Sequence, residues 1–202
     1  MRRLVPLVVA ALSIAACNGP IRTDDAPPRV PQGVDEANAR LRPVDRPLEV
    51  GDPAPVFALK DQNDVLVTSQ ELAGGGAALL IISPPPANGA SRPVAAWAAR
   101  HRKFLSQHQI EILIVTPATA REHRLFAAEN NLRVALLSDP AGWVSAAWGV
   151  PTAGRGSAGP HSFLISGDGR VHLSAQGLPD PSEVVVAAQT LPGRPRDPFF
   201  RF

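Results

Sequence analysis

The chain has 202 residues, 45% of them hydrophobic and 19% charged, which suits one folded domain with tails and is too short for two comfortable cores. Twenty Lys and Arg against 18 Asp and Glu give a net charge of +2, and the basic residues are dispersed without a run, which excludes the clustered footprint of a nucleic-acid binder. A single cysteine excludes an internal disulfide framework, and many of the 22 prolines fall near the two ends, as in linkers and tails.

At the N-terminus, Arg2 and Arg3 precede an apolar run from Leu4 to Ala16. That run is shorter than the ~20 residues that cross a bilayer, so residues 1–16 read as an export signal. Its end, Ile14-Ala15-Ala16-Cys17, resembles the bacterial lipobox, in which small residues fit the signal peptidase and the following cysteine is diacylated. The resemblance implies that Cys17 is the lipidated first residue of the mature protein. The expected location is the bacterial cell envelope, lipid-anchored and facing the periplasm, with Asn18 after the cysteine favouring the outer membrane over the inner. The lipid thioether would consume the sole thiol, leaving no sulfur for a metal site or a redox couple.

Residues 17–47 combine repeated prolines with no apolar periodicity and read as a semi-extended tether. The globular domain is then expected over 48–191 and a tail over 192–202. Within the domain, strand and helix signals alternate. Phe57 to Leu59 and Val65 to Thr68 flank the turn-like Asp61-Gln62-Asn63-Asp64 and predict a hairpin. Thr68 and Glu71 have capping-box spacing for a short helix before Gly74-Gly75-Gly76. Ala77 to Ile82 is apolar throughout and Ile110 to Val115 is apolar but for Glu111, as strands buried on both faces are, and the Pro93 to Gln107 stretch between them is amphipathic. A strand-helix-strand crossover with parallel neighbours follows. Thr119 and Glu122 cap another helix through about Glu129, Val134 to Leu137 is a short strand, and Trp143 to Trp148 a short helix closed by Gly149. Ser162 to Ile165 and Val171 to Ser174 form a hairpin about Ser166-Gly167-Asp168-Gly169, and Asp180-Pro181 opens a last helix ending near Leu191. The order predicts an α/β mixed sheet with helices on both faces.

Five pieces in this order resemble the peroxiredoxin family, also called the alkyl hydroperoxide reductase and thiol-specific antioxidant (redoxin) family, on a thioredoxin-like fold. They are Val50-Gly51-Asp52-Pro53-Ala54-Pro55-x-Phe57-x-Leu59, Leu137-Ser138-Asp139-Pro140, Trp148-Gly149-Val150 where the family has Tyr-Gly-Val, Ser162-Phe163-Leu164-Ile165, and Asp168-Gly169. The resemblance implies thiol-dependent peroxide reduction by a cysteine in a loop of pattern P-x-x-x-T-x-x-C after the first apolar strand. Here Pro84 fits the proline, Asn88 takes the threonine's place and Ser91 the cysteine's. The family's arginine, three residues before the late-strand Phe, is replaced by Pro160, with His161 next. A serine hydroxyl is un-ionised without a strong base and has no sulfenate-like oxidation step, so the loop is expected to be catalytically degenerate.

Three readings of Ser91 then stand. It caps the helix at Arg92-Pro93; or that helix N-terminus, with Asn88, Ser91, Arg92 and His161, forms a candidate anion or polar-ligand site; or Ser91 is a nucleophile with His161 as its base. The histidines, His101, His108, His123, His161 and His172, lack tight metal spacing, and neither metal nor cofactor is expected. In the tail, Phe199, Phe200 and Phe202 either fold back on the domain or anchor a protein partner in the envelope. The functional expectation is a membrane-anchored, non-catalytic binding or accessory subunit, against the antioxidant oxidoreductase that the family resemblance alone implies.

Overall fold

The computed structural model describes residues 33–69, 76–86, 91–150 and 159–191. In chain order these form α1 (Gly33–Ala39), β1 (Ala58–Lys60), β2 (Leu66–Thr68), β3 (Ala77–Ile82), α2 (Ser91–Gln107), β4 (Ile110–Thr116), α3 (Ala120–Glu129), β5 (Ala135–Ser138), α4 (Trp143–Ala147), β6 (His161–Ser166), β7 (Val171–Gln176) and α5 (Pro181–Gln189). The strands make one sheet in the order β2-β1-β5-β4-β3-β6-β7.

The two apolar runs lie side by side at its centre. Strands β3 and β4 pair in parallel from Ala77↔Ile110 to Ile82↔Val115, and of their residues only Glu111 is exposed. Strand β5 joins β4 in parallel from Leu113↔Ala135 onward, while β6 pairs antiparallel with β3, and β7 with β6. Alternation along β3 assigns the two faces. Ala77, Leu79 and Ile81 pack with Val94, Ala98 and Leu105 of α2 and Val184 and Ala188 of α5, with Phe126 of α3 alongside. Ala78, Leu80 and Ile82 share the other cluster with Phe57, Val144 and Trp148.

Local chemistry sets the ends of these elements. Thr119 accepts from the Glu122 N–H while the Glu122 carboxylate accepts from the Thr119 N–H, a complete capping box for α3. Asp180 caps α5, with Pro181 at the first helical position. In the β1–β2 turn Asp61 Oδ1 accepts from the N–H groups of Asn63 (2.8 Å) and Val65 (2.9 Å), which accommodates Asp64 at φ 63°. Beyond the single register pair Lys60↔Ser138, the Gln62 side chain takes over from β1: it donates to Val134 O and accepts from the Leu136 N–H. Arg124 of α3 adds bonds to Gln62 O and to the Asp64 carboxylate.

One boundary differs from the sequence expectation. The tether was expected to reach residue 47, with the domain starting at 48, yet residues 33–47 include α1 and make specific contacts with the domain. Asn38, 4% exposed, brackets Ala58 by donating to its carbonyl and accepting from its N–H. The Val44 N–H donates to Ala146 O and the Leu48 N–H to Trp148 O. Gly149, at φ 70°, lies so close beneath this segment that a Cβ there would overlap the Arg46 carbonyl. Backbone bonds, one asparagine and the isolated Leu41 and Leu48 carry the docking, so no apolar periodicity announced it. The short helix expected at Thr68 and Glu71 falls largely on 70–75, outside the described residues. No helix among the described residues is long and apolar enough to cross a membrane.

Candidate functional site

The loop on which the resemblance places the family's reactive residue lies between β3 and α2. Ser83 extends β3 by one more bond, its N–H to Val115 O at 2.9 Å, and then Pro84, Pro85 and Pro86, having no N–H to donate, end the ladder. Asn88 lies outside the described residues. Ser91 begins α2 and is 2% exposed. Its hydroxyl donates to Pro84 O at 2.6 Å and sits 3.4 Å from the Ser83 hydroxyl, which is itself 3.3 Å from Pro84 O. The cap expectation is therefore corrected. Ser91 lies inside the first turn, facing the strand, and its bond runs back to the strand exit rather than onward to a helix N–H.

His161 lies opposite Ile82 in the β3–β6 register, at the same end of the sheet as Pro84. Its ring stacks on Phe163 (4.6 Å between centroids, 24°), and Nε2 meets the Ser174 hydroxyl on β7 at 3.0 Å. Phe163 belongs to the cluster on the α4 face, whereas α2 packs on the opposite face. His161 and Ser91 are thus separated by the sheet, and no nucleophile–base pair forms between them. Burial lowers the His161 pKa and favours the neutral ring. Pro160 offers only its carbonyl, which accepts from the Gly177 N–H. Arg92 is exposed.

Sequence reasoning missed a buried polar cluster beside this loop. His123 is fully buried, with Nε2 2.7 Å from the Thr116 hydroxyl and Nδ1 3.3 Å from that of Ser138. Desolvation pushes its pKa down to about 4, so the ring is neutral at ordinary pH. The signal was present: His123 shares helical spacing with Phe126 and Ala127, which marks it as core-facing. Asp139, from the Leu137-Ser138-Asp139-Pro140 motif, is 2% exposed and holds the first turn of α4, accepting from the Ser145 N–H (2.8 Å) and hydroxyl (2.7 Å) and from the Val144 N–H (3.3 Å). Burial raises its pKa, opposed by these bonds.

Two other arrangements lack the geometry for chemistry. Ser166, Asp168 and His172 meet at the β6–β7 turn, but hydroxyl and carboxylate both approach the same Nε2 (3.1 and 2.9 Å), which precludes a relay through the ring. Among the described residues no three His, Cys, Asp or Glu side chains are placed to hold a metal ion. A cavity of about 910 Å3, bounded by Leu66, Arg102, Ile110, Ile112, Arg133 and Val134, lies at the N-terminal ends of β3 and β4, the opposite end from Ser91.

The parallel centre, its antiparallel flanks and the N-terminal hairpin define a thioredoxin-like fold of the peroxiredoxin type. A peroxidoxin, BcpB, from Mycobacterium tuberculosis superposes with TM-score 0.62 at 20% identity, covering 71% of this chain and 98% of that one. A putative thiol:disulfide interchange protein DsbE from Chlorobium tepidum gives 0.57 at 23% identity, with 70% and 98% covered. The mitochondrial 2-Cys peroxiredoxin of Plasmodium falciparum gives 0.58 at 18%, with 69% and 92% covered. Residues 50–174 match the AhpC/TSA family, and the chain belongs to it. No curated protein matches the sequence.

Proposed function

We propose that this chain is an exported, lipid-anchored member of the AhpC/TSA family that has lost peroxide chemistry and acts by binding, as an accessory subunit in the bacterial cell envelope. One observation carries the reading: Ser91 stands where the family holds its cysteine, and the sole cysteine of the chain is Cys17, in the lipobox-like Ile14-Ala15-Ala16-Cys17. Peroxide reduction by this family needs a thiolate that attacks the peroxide oxygen and becomes a sulfenic acid. The Ser91 hydroxyl cannot take that step, and its proton is held by Pro84 O in a buried position. The changes at Asn88 and Pro160 support a loop that lost its function as a unit. Phe199, Phe200 and Phe202, outside the described residues, are the proposed partner contact.

The rival reading, a thiol-dependent antioxidant oxidoreductase, has family membership in its favour. Two measurements decide. The purified protein is expected not to consume hydrogen peroxide or organic hydroperoxides with thioredoxin or dithiothreitol as reductant; turnover that Ser91→Ala abolishes would establish the enzyme. The wild type is expected in the detergent phase of fractionated membranes and Cys17→Ala in the aqueous phase. An unacylated, soluble wild type would remove the anchor from the proposal.

A further inference from the structure

The segment that leads into the domain leaves a hollow beside α4. Leu41, Val44, Leu48, Pro53, Pro55 and Ala147 line a cavity of about 360 Å3, at the small end of the range for ligand sites. Its walls are held by the backbone. The Val44 N–H donates to Ala146 O at 3.1 Å, the Leu48 N–H to Trp148 O at 3.4 Å, and the Arg46 carbonyl rests against Gly149. A hollow fixed in this way is preorganised, and an occupant need not order it first.

Charge narrows the occupant. Arg42, Arg46 and Asp52 also line the cavity. Arg46 is matched by Glu49 at 3.2 Å and Asp52 at 3.4 Å, whereas Arg42 forms no ion pair with a described residue. An apolar lining with one unmatched cation suits a molecule that is aliphatic along its length and anionic at one end. Among the lining residues Val44 is itself 38% exposed, so the hollow opens to solvent along an apolar wall.

We propose that the hollow between residues 41–55 and α4 binds the single aliphatic chain of an anionic amphiphile, a long-chain carboxylate, with its head group on Arg42. The chain displaces water from the leucine, valine and proline walls, and the carboxylate supplies the counter-charge that Arg42 is without among the described residues. The site is on the opposite face of the sheet from α2, and so is separate from the Ser91 loop.

The test uses the full chain carrying Cys17→Ser, which needs no detergent to replace a lipid anchor, and the fluorescent fatty acid cis-parinaric acid as probe. Saturable binding at one site per chain is expected, displaced by dodecanoate roughly tenfold or more better than by dodecanol. Arg42→Glu is expected to weaken probe binding roughly tenfold or more while leaving the thermal midpoint near the parent's. Ala147→Phe, which fills the hollow, is expected to abolish binding; if that variant does not fold, Val44→Asp, at an exposed position, replaces it. Because vesicles dissolve the probe themselves, membrane affinity is read separately, by flotation of the probe-free Cys17→Ser chain with vesicles of dioleoylphosphatidylglycerol, where no co-flotation is expected. The proposal is overturned by non-saturable binding, by equal displacement with dodecanol, by co-flotation with the vesicles, by affinity unchanged in Arg42→Glu, or by binding that survives the folded hollow-directed variant.

Discussion

Acid should destabilise this fold through His123, and the size of the effect follows from its burial. An unfolded histidine titrates near 6.5, whereas desolvation holds His123 at about 4 in the folded protein. Between these values the unfolded chain binds the extra proton, so stability falls as pH drops through 6.5, and the loss is complete below about 4. At about 1.4 kcal/mol per decade, the full loss is about 3 kcal/mol, a large part of the 5–15 kcal/mol typical of a domain. Asp139 acts in the opposite sense. Its raised pKa means the folded form takes up a proton before the unfolded chain does, which adds stability on acidification and offsets part of the His123 loss. The comparison that isolates His123 is therefore between wild type and His123→Gln, which keeps polar atoms near Thr116 and Ser138 but cannot titrate. Urea midpoints followed by far-ultraviolet circular dichroism between pH 7.5 and 4 should fall more steeply for the wild type. Parallel curves for the two proteins across that window would refute the assignment.

Further expectations concern the loop and the N-terminal segment. Gly149→Ala forces a side chain into φ 70° and into the Arg46 carbonyl, and should cost about 1–3 kcal/mol while speeding amide exchange at Val44 and Leu48. Asn38→Ala leaves the Ala58 N–H and carbonyl without their partner and should cost about 1–3 kcal/mol by chemical denaturation. Ser91→Ala removes the bond to Pro84 O and should cost about 1 kcal/mol, with no catalytic readout changed. On the proposed loss of the loop's function, Ser91→Cys alone should restore little or no peroxide turnover in a coupled reductase assay, since Asn88 and Pro160 stand where the resemblance places the family's threonine and arginine; turnover at the level of a thiol peroxidase would contradict this.

Elements that bury a face declared themselves in the sequence. The runs at Ala77 and Ile110 are apolar at every position but Glu111 because both faces of the sheet are covered, and the caps of α3 and α5 carry their own side-chain chemistry. What stayed hidden depends on distant partners. Asn38 in a proline-rich stretch gives no hint that it brackets Ala58, and Gln62 reads as a turn residue although it serves β5. At the candidate site, the sequence carries the absence of any cysteine after Cys17, and the proposed replacement of the family's cysteine by Ser91 rests on the resemblance. That His161 falls on the far face from α2 is a matter of strand parity, and reading it would have required the register of β6 against β3.

The attachment of the β1–β2 hairpin has a consequence for how the molecule breathes. One register pair, the Gln62 amide and the Arg124 bonds hold it to β5 and α3, while β3 and β4 share six paired positions in the interior. Apart from the Asn38 bonds to Ala58 and the burial of Phe57 and Leu59, little else ties it down, so the hairpin is expected to open before the parallel strands do. Such an opening would present a bare β5 edge together with exposed aromatic surface, which makes this side of the sheet the expected starting point, among the described residues, for proteolytic nicking and self-association.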